Sequence, residues 1–511
     1  MTAIFSDSQS VEKEAKSRYC FPDFIMMENA AAALEAAVLK AVCRRKKSSF
    51  DLPDSSQSVL ILCGSGNNGG DGYALARRLR GKINCDIFAV KPAKTEEALV
   101  QRKMAEALGC QIFDNLPSDE KLSSYTIIVD CISGTGFKGQ VRQPLAGLIE
   151  KVNSLDAYKI ACDIPTGLQL KADLTVTMGC LKTLLFDDKA KDFCGKIEVA
   201  DLGITAGKFQ DCGKADAFLI EKGDIKLPFR TNKAAHKGTY GHTALFAGEK
   251  SGAAILGASA ALNFGSGLVT LVKTEKSSLS QFKISPELMI SDEIPAGTTG
   301  LLIGSGLGSL DFAGSKESEN PAINALDKVK TWFSRAKKPV CLFDADLFSW
   351  KKLPAFLDEL YSARPDGKII LTPHLKELKN FYNFAFPDEE SLSVEELTQA
   401  EKRIEAGRRL CERFPSVTLI MKSANTFIAA RNEDKGEIKI YICSAGSQSL
   451  AKAGSGDVLA GMCAALLAQG YSCRDAAITS VYAHALAGSS FAGGQDWALT
   501  AEKLIEKLSK S

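Results

Sequence analysis

The chain is 511 residues long, enough for roughly two to four domains. Its 45% hydrophobic and 24% charged residues exclude a disordered chain. Lys and Arg total 63 against 61 Asp and Glu, a net +2, which argues against bulk electrostatic binding of nucleic acid or an acidic membrane. The 15 cysteines include no C-x-x-C pair and stand beside 4 histidines, a pattern unlike a zinc site and suited to a reducing cytoplasm. The stretch from Met1 to Lys16 is polar and has no signal-peptide core. No run of about 18 apolar residues suggests a membrane span.

In chain order, residues 24–43 read as an alanine-rich amphipathic helix. A buried-strand pattern at 58–63 runs into Gly64-Ser-Gly-Asn-Asn-Gly-Gly-Asp-Gly72, and a helix is expected over 73–79. Further strands are expected at 85–90, 111–113, 125–130, 159–163, 174–177 and 197–200, with helices at 98–108 and 144–152 between them. Residues 227–238 are basic and poor in apolar runs, as in a linker or a ligand-facing loop. Alternation then restarts with strands at 243–247, 268–273, 300–303, 339–343, 368–371 and 417–421 and a helix at 252–264. A hairpin is expected around 425–441, and mostly helix from Gly456 onward. Strand–helix alternation on this scale predicts two fused doubly wound α/β domains, residues 1–220 and 221–511, each with a parallel sheet.

Three loops in the first half carry glycine and acid at strand ends, where open parallel sheets bind ligands. The first satisfies G-x-G-x-x-G, whose backbone N–H groups can hold a phosphate at a helix N-terminus. The next strand ends Ala89-Val90-Lys91 and lacks the acid that a conventional NAD site places there, which argues against a dehydrogenase. Asp130 precedes a loop running to Gly139, and Asp163 precedes Ile-Pro-Thr-Gly167. Asn68, Asp130 and Thr166 offer hard oxygens suited to an alkali or alkaline-earth cation. Taken singly, each acid reads equally well as a loop cap.

GSGNNGGDG, VDCISGTGFKG and CDIPTG, with Met27-Glu28-Asn29-Ala30-Ala31 upstream, resemble the NAD(P)H-hydrate epimerase family over about residues 15–215. The resemblance implies a Rossmann-like domain that interconverts the R and S forms of hydrated NADH and NADPH. It implies a potassium ion at Asn68, Asp130 and Thr166. It also implies substrate contacts at Asn67, Asn68, Gly69, Gly70 and Asp71, at Gly134, Thr135, Gly136, Phe137, Lys138, Gly139 and Gln140, and at Asp163. The expected acid/base is Asp163.

In the second half, Gly454-Ser455-Gly456-Asp457 opens a helix, so adjacent N–H groups and the helix dipole face an anion. Asp457 reads as a base toward a hydroxyl that attacks phosphorus, or as an N-cap. The set HKGTYG, GAAILGASAAL, GSGLG, DAD, TPHLKE and LAKAGSGDVLAG resembles the ADP-dependent NAD(P)H-hydrate dehydratase family, of ribokinase-like fold, over about residues 225–508. Ser423 and Ala453 stand where the family usually has glycine.

The second resemblance implies hydrate contacts at Ala253, Gly306 and His374. It implies adenine-nucleotide contacts at Lys422, Ser423, Ala424, Asn425, Thr426, Gly454, Ser455 and Gly456. Asp457 is the expected catalytic residue, ADP the co-substrate and Mg2+ a helper without assigned ligands. The resemblances together imply a cytoplasmic bifunctional repair enzyme acting on the NADH and NADPH hydrates. A homo-oligomer is expected, and the charge balance and lack of a membrane span leave no nucleic-acid or membrane partner expected. The alternatives are a small-molecule kinase with an N-terminal nucleotide-sensing domain, and a first half that only binds.

Overall fold

Six consecutive buried residues, Ser58–Cys63, form the central strand of the first of two compact units, Ala3–Asp216 and Met1–Thr2 with Ala217–Ser511. The computed structural model describes residues 1–45, 57–137, 139, 141–310, 320–432, 436–491 and 494–508. The expected contacts Lys138 and Gln140 lie outside the described residues.

The strands of the first unit are β1 (Thr2–Phe5), β2 (Ser58–Cys63), β3 (Asn84–Ala89), β4 (Gln111–Phe113), β5 (Ile127–Cys131), β6 (Tyr158–Cys162), β7 (Leu174–Met178), β8 (Leu181–Lys182) and β9 (Lys196–Ala200). The main sheet runs β4-β3-β2-β5-β6-β7-β9 and is parallel throughout. β1 pairs separately with β8. The order reverses between β2 and β5, so their carboxyl ends open a crevice. Residue alternation supplies both faces of the sheet. Leu60, Leu62 and Ile128 pack on Leu148, Ile149 and Val152 of helix Leu145–Ser154. On the other face, helix Asn67–Leu79 lies so close that a Cβ on Gly72 would come within 2.7 Å of Cys63 Sγ.

The second unit contains β10 (Ala217–Leu219), β11 (His242–Ala247), β12 (Leu268–Lys273), β13 (Met289–Ser291), β14 (Gly300–Ile303), β15 (Val340–Phe343), β16 (Lys368–Leu371), β17 (Val417–Met421), β18 (Thr426–Arg431) and β19 (Ile438–Cys443). Its order is β13-β12-β11-β14-β15-β16-β17-β18-β19-β10, with the switch point between β11 and β14. Among the described residues only the β17–β18–β19 pairings are antiparallel, and the expected hairpin is β18–β19. Helix Ser455–Ala468 is buried from Val458 onward and crosses helix Ser251–Asn263. The crossing is backbone against backbone. A Cβ on Gly461 would sit 2.0 Å from the Gly257 carbonyl oxygen. No helix among the described residues is long and apolar enough to cross a membrane.

Two expectations are corrected. The first-unit helix begins at Asn67, not at Tyr73, so Asn-Asn-Gly-Gly-Asp is its first turn and not a loop. Glycine there answers to packing as well as to propensity, since a Cβ on Gly70 would lie 2.6 Å from Met27 Cε. In addition, β1, β8, β10 and β13 are strands that hydrophobic patterning does not reveal. They are two to four residues long, too short for alternation to register.

Candidate functional site

In the first unit the loops after β2, β5 and β6 converge on a cavity of about 800 Å3. Its wall includes Asn67, Asn68, Asp71, Gly134, Thr135, Gly136, Phe137 and Asp163, together with Met26 and Met27 of the first long helix. Gly69 and Gly70 are buried behind it, and Gly139 is exposed. Gly134 is the tightest point. A Cβ there would meet Asp163 Oδ2 at 2.4 Å and Asn68 Oδ1 at 3.0 Å, so those two polar atoms converge on one spot.

Asp163 sits at φ +71°, a left-handed conformation that costs a non-glycine residue energy and is concentrated at functional positions. Its carboxylate is held at three points. Lys182 Nζ donates to Oδ1 at 2.5 Å, Met178 N to Oδ1 at 3.3 Å and Thr135 N to Oδ2 at 3.2 Å. Lys182 is 4% exposed and spends its other protons on Thr177 Oγ1 and the Met178 carbonyl. Sequence reasoning missed this lysine. The only available signal was a single charge inside the apolar run Cys180–Phe186.

Asp71 stands in the opposite environment. It is 7% exposed and its neighbour is the Cys162 thiol, which donates to Oδ2 at 3.7 Å. Burial, and then the charge of Asp163, push its carboxyl well above the ordinary range. Cys162 also donates to Asn68 Oδ1 at 3.7 Å, while Asn68 Nδ2 donates to the Cys162 carbonyl.

Asp130 is 1% exposed, and no basic side chain pairs with it among the described residues. Thr166 N and Oγ1 donate to it at 2.8 and 2.7 Å, and Ile132 N at 3.1 Å. Burial nevertheless raises its carboxyl to about 6, against the pull of those bonds. A buried carboxylate beside a hydroxyl oxygen and lacking an ammonium or guanidinium partner is a donor set that fits a monovalent cation.

In the second unit, the carboxyl ends of β14, β15, β16 and β17 bring Ser305, Asp344, Thr372 and Lys422 together. Asp344 Oδ1 accepts from Lys422 Nζ at 2.9 Å and from Thr372 Oγ1 at 2.6 Å, and Oδ2 accepts from Ser305 Oγ at 2.9 Å. Burial opposes its ionisation, but Lys422 and these bonds outweigh it and hold the carboxyl below its usual range. Burial likewise opposes the Lys422 ammonium, and Asp344, Glu377 and Asp457 outweigh that. Lys422 Nζ lies 3.6 Å from where a Cβ on Gly456 would be, so the ammonium stands at the start of the Gly-Ser-Gly helix.

Asp457 is the third residue of that helix, so it is not its N-cap, which is Gly454 at φ +89°. Burial first, then repulsion by Asp344, raise Asp457 to about 6. Ser455 Oγ bonds the Leu450 carbonyl, and His484 Nε2 meets the Ser455 carbonyl at 2.9 Å. Gly306, at φ +64°, packs where a Cβ would meet the Lys250 carbonyl oxygen at 2.3 Å, and Ala253 N donates to that same carbonyl. His374 is an N-cap, accepting from Glu377 N, and its ring is half-exposed. Burial and then Lys422 lower it, while burial raises Glu377 to about 7. Ser423 and Thr426 are half-buried, Ala424 is exposed, and Asn425 is buried with its carbonyl held by Arg403 at 2.7 Å. Asp344, Ser305 and Thr372 were absent from the expected site residues. The DAD and GSGLG motifs pointed to the first two, but no spacing rule joins four separate strand ends.

Residues 23–184 match the family of YjeF-related protein N-terminus, and residues 244–510 match the NAD(P)H-hydrate dehydratase family. The bifunctional NAD(P)H-hydrate repair enzyme of Helicobacter pylori is 35% identical over 99% of each chain. The enzyme of that name from Escherichia coli is 30% identical over 91% of this chain and 87% of its own. A solved ribokinase-like superfamily protein from Enterococcus faecalis covers 58% of this chain and 96% of its own, at 20% identity and a TM-score of 0.42. On the identity and coverage of the curated relatives, the chain belongs to the family of bifunctional NAD(P)H-hydrate repair enzymes.

Proposed function

We propose that the first unit interconverts the R and S hydrates of NADH and NADPH, and that the second dehydrates the S form while converting ADP to AMP and phosphate. The observation that carries this reading is an acidic cluster at the carboxyl ends of the parallel strands in each unit, in a chain of this family. In the first site Asp163 is the acid/base. Asn67–Asp71 and Gly134–Phe137, with Gly139, form the hydrate's cradle. Asn68, Asp130 and Thr166 would hold K+, which would offset buried negative charge beside the substrate.

In the second site Asp457 accepts the proton of the hydrate's C6 hydroxyl as that oxygen attacks the β-phosphorus of ADP and AMP leaves. The Gly454–Gly456 amides and Lys422 steady the charge on the transferred group. Phosphate then departs from C6 with the C–O electron pair, the N1 lone pair forms C6=N1, and loss of a C5 proton restores the dihydropyridine. Lys422–Thr426 hold the adenine nucleotide, and Ala253, Gly306 and His374 the hydrate. Among the described residues no three His, Cys, Asp or Glu side chains gather as a metal centre. Mg2+ would be held mainly by the phosphates of ADP and water, its protein ligands unassigned, and no step here uses it. The partners are the two hydrates and ADP, in the cytoplasm.

The test is conversion of a mixed R and S hydrate to NADH, with ADP, ATP or no nucleotide. Complete conversion with ADP, faster than spontaneous epimerisation, is the expected outcome. A stop near half conversion removes the epimerase assignment. A stable phosphorylated product without NADH returns the small-molecule kinase reading.

A further inference from the structure

The first-unit cavity holds two carboxyls, and their surroundings are opposed. Asp163 is fixed by the Lys182 ammonium and two backbone N–H groups. Asp71, in the same wall and equally buried at 7% exposure, forms no ion pair among the described residues. Its hydrogen-bond donor is the Cys162 thiol at 3.7 Å, a weak one. Lys182 cannot serve both carboxyls, because its three protons go to Asp163, Thr177 and Met178. Of two buried carboxyls in one wall, the ion-paired one keeps its charge, and the one that burial leaves without a cation keeps its proton.

On the epimerase reading above, we propose that Asp71 is the general acid of the first site, a second catalytic residue that works opposite Asp163. The C6 carbon of the hydrate bears both the hydroxyl and the ring nitrogen, so it can invert by opening the ring. Asp163 takes the hydroxyl proton, the O–H electrons form C6=O, the C6–N1 pair moves to N1, and Asp71 gives N1 its proton. The aldehyde turns about C5–C6, and N1 then attacks its other face. Asp71 recovers its proton from N1, and Asp163 returns its proton to the oxygen. Each carboxyl ends as it began, which a reaction that must run both ways requires. Loss of water to one face and its return to the other would leave the proton on Asp163, against its ion pair with Lys182.

The groups that act on Asp71 are Asp163, the thiols of Cys162, Cys131 and Cys63, and Glu12 of helix Ser8–Tyr19, while Lys13, Lys16, Asp23, Lys91 and Lys182 line the same cavity. The charges that act on the carboxyl are those of Asp163 and Glu12, and both raise it. The alkaline limb, on which the rate falls as pH climbs, therefore belongs to Asp71.

The experiment uses the full chain and measures R-to-S conversion by chromatography, without ADP. Asp71→Asn keeps the shape of the neutral acid and removes its proton. The expected result is a fall of at least a hundredfold in kcat with KM changed less than threefold, and an unchanged melting transition for the first unit. In the wild type, activity is lost as pH climbs through the raised titration of Asp71. Asp71→Glu retains activity with that limb displaced. Asp71→Asn at more than a tenth of wild-type kcat, or a wild-type rate flat through alkaline pH, overturns the proposal. Should Asp71→Asn unfold the unit, the Asp71→Glu limb decides alone: if it stays in place, Asp71 is not the acid. Absence of epimerisation in the wild type itself refutes the parent reading instead.

Discussion

Lys182 Nζ and Asp163 Oδ1 meet at 2.5 Å in the wall of the first-unit cavity, with 4% and 7% of the two residues exposed. Breaking such a pair from one side leaves an uncompensated buried charge, which costs about 3–5 kcal/mol. Lys182→Met should therefore destabilise the first unit by that order. Asp163→Asn should cost the fold less, because its amide oxygen still accepts from Lys182 and Met178 and only Thr135 N loses its acceptor. Its epimerase rate should nevertheless fall by roughly 10²–10⁴, the range for loss of a general acid/base. Melting curves and R-to-S conversion measured on both variants separate the two effects. Equal losses of stability would mean that Asp163 is structural only.

Gly134 carries a second expectation. Its missing side chain leaves room for Asp163 Oδ2 and Asn68 Oδ1 to converge, and a methyl group would come within 2.4 Å of the former. Neither polar atom is the free end of a flexible chain, since Asp163 Oδ2 accepts from Thr135 N and the Asn68 amide is fixed by its Nδ2 on the Cys162 carbonyl. Gly134→Ala should abolish epimerisation while ADP-dependent conversion of pure S hydrate stays within about twofold of wild type. Epimerase activity near the wild-type level would show that the convergence is not needed.

The cation site gives a third. Thr166 donates its hydroxyl to Asp130 at 2.7 Å, and its oxygen is one of the three proposed for K+. Thr166→Ser keeps that oxygen and should keep any stimulation by K+ over a larger organic cation. Thr166→Val removes it, leaves Asp130 one donor short, and should cost about 1–3 kcal/mol as well as the stimulation. Titration of activity and of melting temperature with KCl at constant ionic strength reads both. Stimulation that survives in the valine variant would place the cation elsewhere.

How far the sequence could be read depended on whether a residue's role is local. The β2 and β5 strands announce themselves as buried apolar runs, and the glycines and acids at their ends are visible in the linear string. The start of the helix at Asn67 was not visible, because Asn, Gly and Asp in its first turn read as loop by propensity. Here tertiary packing of Gly70 and Gly72 against Met27 and Cys63 overrides that preference. Lys182 and Asp344 act through partners 19 and 78 residues away, a relation that exists only once the sheets are formed. The strand ends that carry Asp130, Asp163 and Asp457's partners were legible for the same reason that their electrostatics were not. Position follows from pattern, and charge state follows from burial.

Gly461 tests the second unit's core. Its Cβ would stand 2.0 Å from the Gly257 carbonyl oxygen, where two helices cross backbone to backbone. Overpacking costs about 1–3 kcal/mol when side chains can yield. Backbone cannot yield so easily, so Gly461→Ala should reach or exceed the upper end of that range. Because Gly461 lies one turn beyond Asp457 on the same helix, dehydratase activity should fall with stability, and the epimerase should remain. An unchanged melting transition would show that the helices can part without cost.

The final prediction concerns Asp457 and the pH at which the second site works. A base must be ionised to accept a proton, and burial followed by repulsion from Asp344 places this carboxyl at about 6. ADP-dependent conversion of S hydrate should therefore rise as pH climbs through about 6 and level off above it, at kcat/KM conditions where the free enzyme titrates. Lys422 lowers Asp457 toward its ordinary value and simultaneously neutralises Asp344. Lys422→Met removes both effects, so its surviving activity should rise only at a higher pH than the wild type requires. Asp457→Asn should lose roughly 10²–10⁴ in kcat and show no acid limb in whatever rate remains. Rates measured between pH 5 and 8, a span of roughly three units around the usual protein range, decide the matter. A limb that persists unchanged in the asparagine variant would assign the titration to Glu377, raised to about 7 by its own burial, and take the base role away from Asp457.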